Sequence, residues 1–159
     1  MHKILISACF MGENVRYDGG HQSLFDHELF SKKLKQWQQE GRLVSACPEC
    51  LGGLATPRAP AEIQQNSQKI ITNNNVDVSE NFNQGAQKTL ALCLKHDIKY
   101  ALLKESSPSC GSQLVYDGTF TNTKVNGQGI TAKLLTQHHI KVFSEKNIAK
   151  LITELDKLT

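Results

Sequence analysis

Cys9, Cys47 and Cys110 are the residues of this chain best suited to chemistry. Five cysteines, an odd number and widely spaced, occur in 159 residues, and a chain of that length buries a core without disulfide staples. Free thiols or metal ligands are therefore expected. Thiolates are soft ligands that select zinc, copper or iron–sulfur groups, and each must lose its proton to bind. Cys9 lies in SACFMGENVRYDGG, Cys47 in CPECLGGLATPRAPAE and Cys110 in ESSPSCGS. These are glycine- or proline-rich segments, where a cysteine has little reason to serve as packing alone. Cys93 falls instead on an apolar helical stripe and reads as core.

Cys47 and Cys50 in CPEC have the spacing shared by zinc knuckles, iron–sulfur proteins and thioredoxin-type pairs. A second CxxC is missing, which argues against a zinc ribbon. A thioredoxin-type pair should open a helix, whereas this one runs into LGGLATP. Glu49, between the two cysteines, is placed to act as a general base near a bound metal. Ser106, Ser107 and Ser109 flank Cys110 and offer hydroxyls to a reacting sulfur or to the backbone of a turn. Asn14, Arg16 and Tyr17, ahead of Asp18-Gly19-Gly20, suit a polar ligand wall, since arginine forks onto phosphate and tyrosine stacks on a base. Arg58, between Pro57 and Pro60, is a further candidate anion contact, and Lys104, at a strand end, is equally an anion contact or an exposed side chain.

The elements that must carry these residues alternate. Lys3–Ala8 reads as a buried strand and residues 24–40 as a helix with Leu29, Phe30, Leu34 and Trp37 on one spacing. RLVSAC at 42–47 is a second strand, and the three prolines and two glycines of 48–62 predict a shaped loop. Residues 79–97 predict a helix capped by Ser79, with Phe82, Ala86, Leu90, Cys93 and Leu94 on one face. YALLK at 100–104 is a strand, VYDGTFTNTKVNGQG holds a short hairpin, a helix starts near Thr131, and KVFSE and a last helix follow. The alternation predicts a single-domain, Rossmann-like α/β fold over residues 1–159, mostly parallel, with helices on both sheet faces. All three singled-out cysteines then follow strand C-termini. In parallel neighbours these ends share one sheet edge, where open α/β sheets bind ligands.

The motifs SAC-x-x-G-x-NVRYDGG, CPE-x-LGGL-x-TPR-x-PAEI, LKE-x-SPSCG and VFSE, in order from Ile4 to about Glu145, resemble those of the thiouracil desulfidase family. The resemblance implies a 4Fe-4S cluster held by only three cysteines, here Cys9, Cys47 and Cys110. It also implies removal of sulfur from thiouracil or 4-thiouridine monophosphate, giving uracil or UMP and hydrogen sulfide without net redox change. Three ligands leave one iron open to polarise a carbon–sulfur bond. Glu49 would then activate water, and Ser107 or Ser109 would relay the proton. Asn14, Arg16, Tyr17, Arg58 and Lys104 would face the substrate. Cys50 departs from many relatives, and a fourth thiolate from it would close the iron site.

A formal charge of +3 with dispersed lysines gives no basic run to track a nucleic-acid backbone, so a free base or mononucleotide is expected before thiolated transfer RNA. No stretch approaches the ~18 apolar residues of a membrane span. The opening apolar run is shorter than the ~7–15 residues of a secretory signal, so the cytoplasm is the expected compartment. Two other readings stand beside the enzyme: a metal- or redox-sensing nucleotide-binding regulator, and a structural four-cysteine zinc domain.

Overall fold

The structure is a computed structural model that describes residues 1–24, 28 and 30–158. Its centre is a parallel sheet of strands β1 (Ile4–Ser7), β2 (Leu43–Ala46), β5 (Tyr100–Leu102) and β8 (Lys141–Phe143), in the order β2-β1-β5-β8. β1 pairs with both β2 and β5, in register from Ile4 opposite Leu43 on one side and Tyr100 on the other. The chain passes from β1 to one flank and then crosses to the other, so β1 and β5 bracket the topological switch point.

Every residue of β1 is buried because both sheet faces are covered. Ile4 and Ile6 point with Leu102 toward helices α1 (Ser31–Gln39) and α5 (Ile148–Asp156), meeting Leu34, Trp37, Leu151 and Leu155. Leu5, Ala101 and Leu103 point the other way, onto Leu90 and Cys93 of α3 (Ser79–Lys95) and Ala132 and Leu135 of α4 (Ile130–Gln137). Each fully buried Leu or Ile contributes roughly 1.5–3 kcal/mol relative to exposure. The α/β reading with helices on both faces agrees with this architecture.

Several local expectations change. The helix predicted over 24–40 begins at Ser31, and Leu29 lies outside the described residues. Ser79 is the first helical residue; its hydroxyl accepts a hydrogen bond from the Ile70 N–H at 2.9 Å, and no side chain caps the helix. Leu94 is exposed, since it lies off the stripe that Cys93 shares with Leu90. The 48–62 segment, expected to be loop throughout, contains a helical turn, α2 (Pro48–Leu51), and strand β3 (Ala61–Ile63). Pro48 occupies the first helical position, where a missing N–H costs nothing, so the proline that suggested a break starts the turn. β3 pairs antiparallel with β4 (Ile70–Thr72), a hairpin too short to show periodicity in sequence. The hairpin expected in 115–129 is β6 (Leu114–Tyr116) with β7 (Lys124–Asn126).

Two glycines fix α2 against α3. A Cβ on Gly85 would lie 1.9 Å from the Pro48 carbonyl oxygen, and one on Gly52 would lie 1.9 Å from that of Asn81. Only glycine allows this approach. Asn81 Nδ2 also donates to Gly52 O at 2.9 Å.

Candidate active site

The C-terminal ends of β1, β2 and β5 open into one cavity of about 480 Å³. Cys9 enters it from the turn of 3-10 helix at Ala8–Met11 that follows β1. Cys47 enters from the N-terminal end of α2, directly after β2. Cys110 enters from the loop beyond β5, packed beneath α4 so closely that a Cβ on Gly129 would meet the Ser109 carbonyl carbon at 2.5 Å. The sheet edge thus assembles three thiols from segments distant in sequence. Cys50 does not line this cavity, and Cys93 is fully buried in the core.

Burial pushes the Cys9 thiol up to about 11, with Cys47 nearby raising it further, while Arg16 and Lys104 pull it down. Burial likewise raises Cys47 to about 12; the Cys50 backbone N–H pulls it down, while the Cys50 and Cys110 thiols add to the rise. Cys110 also rises to about 12 through burial, opposed by the Ser109 hydroxyl and reinforced by Glu49 and Cys9. Each thiol thus feels another of the set. Without a cation they stay protonated at neutral pH; a soft metal group would compensate their loss of protons. Among the described residues no three His, Cys, Asp or Glu side chains are gathered as a single metal ion would need. Soft donors spread around one cavity fit a multinuclear iron–sulfur group, with Cys9, Cys47 and Cys110 as the residues able to hold it.

A polar chain adjoins the thiols. Glu49 Oε2 accepts from Ser109 Oγ at 2.9 Å, and Ser109 Oγ lies 3.4 Å from Cys110 Sγ and 3.2 Å from Ser107 Oγ. Ser107 Oγ in turn accepts the Cys110 N–H at 2.7 Å. Glu49 Oε1 is held by Arg58 Nε at 3.1 Å. The Arg58 side chain is only 9% exposed and does not line the cavity; it also donates to the Val15 and Ala55 carbonyls. Of the residues expected to face substrate, Arg58 is thus placed outside the cavity lining. Its guanidinium turns back into the loop, where it orients Glu49 and ties α2 to the segment after Cys9.

The other candidates divide. Arg16, Tyr17 and Lys104 line the cavity, whereas Asn14 is exposed and does not. Lys104 Nζ pairs with Glu145 Oε1 at 3.0 Å and donates to Glu105 O. Ser106 lines the cavity too, and its N–H donates to Glu105. Burial works against the Glu105 charge, yet hydrogen bonds from Ser112, Ser106 and Gln113 win and hold its carboxyl below the usual carboxylate range. Glu105 thereby braces the loop of Cys110.

Sequence reading missed several wall residues. Ser7 Oγ accepts the Lys104 N–H at 3.0 Å and lies 3.9 Å from Cys110 Sγ, joining β1 to β5 at the thiols. Tyr116, Phe120 and Lys124 of the β6–β7 hairpin line the cavity opposite the sheet. Glu62 Oε1 accepts the N–H groups of Gly118 and Phe120, fixing the hairpin tip. The hairpin was legible; its landing place, set by contacts with β3 more than fifty residues away, was not.

The profile of the 2-thiouracil desulfurase family matches residues 4–147. The chain is 40% identical over 157 residues to the uncharacterized protein YbbK of Bacillus subtilis (strain 168), spanning 94% of this chain and 99% of that protein. It is similar in structure to the [4Fe-4S]-dependent thiouracil desulfidase TudS, with a TM-score of 0.89 and 42% identity over 98% of this chain and 99% of that one. Neither the regulator nor the zinc-domain reading is favoured by these relatives. From its motifs, its fold and these matches, the chain belongs to the 2-thiouracil desulfurase family.

Proposed function

We propose that residues 1–159 act as one iron–sulfur-dependent, non-redox desulfidase that converts a thiolated pyrimidine such as thiouracil to uracil and hydrogen sulfide. The observation that carries this reading is the meeting of three thiols and Glu49 in one cavity, in a chain 42% identical to TudS. The overall reaction adds water across a thiocarbonyl and expels sulfur as hydrogen sulfide, so no external electron donor is required. A cluster held by Cys9, Cys47 and Cys110 would supply Lewis-acid polarisation of the carbon–sulfur bond.

The protein's own groups do the rest. Glu49 takes a proton from the attacking water, with Arg58 on one carboxylate oxygen and Ser109 on the other keeping it aimed. Ser109 and Ser107, within hydrogen-bond reach of each other, give that proton a route toward the leaving sulfur. Tyr17, Tyr116 and Phe120 supply ring surfaces for a flat pyrimidine. Arg16 and Lys124 provide positive charge on the same cavity for the phosphate of a mononucleotide, with Lys104 partly neutralised by Glu145. A free base or mononucleotide is the proposed substrate class ahead of thiolated transfer RNA, on the ground that the sequence holds no basic run to track a nucleic-acid backbone.

The test is anaerobic incubation of iron-loaded protein with thiouracil. Sulfide and uracil should appear in equal amounts over many turnovers. Iron-loaded protein that consumes no thiolated base or nucleotide would overturn the proposal.

A further inference from the structure

Cys50 has no part in the chemistry above, yet it sits where a partner thiol for Cys47 would be needed. Cys47 caps the N-terminal end of α2, Pro48 is the first helical residue, and Cys50 follows one turn on. The helical turn corrects the sequence expectation that CPEC could not open a helix. Both sulfurs rest against the same carbonyl, Cys47 Sγ and Cys50 Sγ each 3.9 Å from Val15 O. The two thiols thus share one acceptor and lie on the same side of the turn. Residues three apart in a helical turn have Cα atoms about 5 Å apart, inside the ~4.4–6.8 Å that a disulfide spans. Cys50 Sγ additionally contacts Thr56 Oγ1 at 3.6 Å, and neither residue lines the cavity.

We propose that Cys47 and Cys50 form a reversible disulfide when the cluster is lost to oxidation, and that this bond preserves Cys47 for reassembly. Peroxide is the oxidant. One thiol of the pair is oxidised to a sulfenic acid as peroxide is reduced to water; the second thiol attacks that sulfur and expels a second water, leaving a disulfide and no net charge. Without a neighbour, the sulfenic acid would react with further peroxide to the sulfinic acid, which ordinary reductants do not reverse. Cys9 and Cys110 have no cysteine within their own loops, so Cys47 alone of the three is provided with a partner close in sequence.

The inference uses the proposed function only in taking Cys47 to be a ligand, and the two can fail separately. Iron-loaded protein is treated anaerobically with a modest excess of hydrogen peroxide, then digested with trypsin without reduction. The peptide from Leu43 to Arg58 contains only Cys47 and Cys50, so an internal disulfide appears as the loss of two hydrogens. After treatment with dithiothreitol, iron and sulfide uptake should return to within about twofold of the untreated protein. In Cys50→Ser the same peptide should carry sulfinic acid at Cys47, and reassembly after reduction should fall about tenfold or more, because that oxidation level resists thiols. Before peroxide, Cys50→Ser should load iron as the parent does. A peptide without the internal bond, a bond from Cys47 to Cys9 or Cys110, or equal recovery of parent and variant would each overturn the proposal. If the disulfide forms but no thiopyrimidine is desulfurated, the inference survives and the functional reading does not.

Discussion

Glu49 is held at both carboxylate oxygens, which is what a general base needs in order to be aimed and costs it freedom to act as a mere surface charge. General-base contributions run to about 10²–10⁴-fold, so Glu49→Gln should lower kcat at least about a hundredfold while iron content stays at the parent level. Equal loss of iron and activity would instead make Glu49 a structural residue. Arg58 gives a second residue-scale prediction. Because it orients Glu49 and does not line the cavity, Arg58→Ala should lower kcat with thiouracil and with its nucleotide in the same proportion. Arg16→Ala and Lys124→Ala should weaken the nucleotide about tenfold or more relative to the free base, the magnitude of a lost charge-assisted contact. If neither substitution separates the two substrates, the phosphate assignment fails. The types of these side chains were legible in the sequence, but the direction in which Arg58 turns was not. A guanidinium between two prolines can face a ligand or fold back, and only the positions of Glu49 and Val15 decide it.

At the scale of elements, each thiol is presented by a different device: a 3-10 turn for Cys9, the start of a helical turn for Cys47, and a loop braced by Glu105 for Cys110. The glycine contact between α2 and α3 is what seats Cys47. With the Pro48 oxygen at 1.9 Å from a Cβ, Gly85→Ala must push α2 outward. We expect it to cost roughly 1–3 kcal/mol in denaturant unfolding and to reduce iron uptake more than a comparably destabilising change in α5. An unchanged unfolding midpoint would contradict the packing described. Strands β1, β2 and β5 are legible in the sequence because a buried parallel strand is a short apolar run, and their ends place the three cysteines at one sheet edge. The β3–β4 hairpin and α2 were not readable. The strands have three residues each, and the proline and glycines of the CPECLGG segment, which suggest a break in sequence, act as the start and stop of a turn.

Across the whole molecule, the fold places its ligand cavity at the switch point of the parallel sheet and leaves four thiols with pKa values raised by burial: Cys9, Cys47, Cys93 and Cys110. Their ordinary value is 9.0, and the folded values are about 11 to 12. Each group's folded pKa lies above its unfolded one, so the stability it contributes is fully present below about pH 9 and is lost as pH rises toward 11 to 12. Denaturation of the metal-free protein should therefore show a midpoint that falls steeply above pH 9; a flat or rising midpoint would contradict the burial described. Among the described residues no helix is long and apolar enough to cross a membrane.

The proposed desulfidase chemistry requires three thiols, and not four, on the cluster. Its most direct test is the iron and acid-labile sulfide content of anaerobically reconstituted protein, measured for the parent, for Cys9→Ser, Cys47→Ser and Cys110→Ser, and for Cys50→Val. One [4Fe-4S] group per chain is expected in the parent and in Cys50→Val, with severe loss in each of the other three. Full loading of any of those three, or loss of the cluster from Cys50→Val, would contradict it.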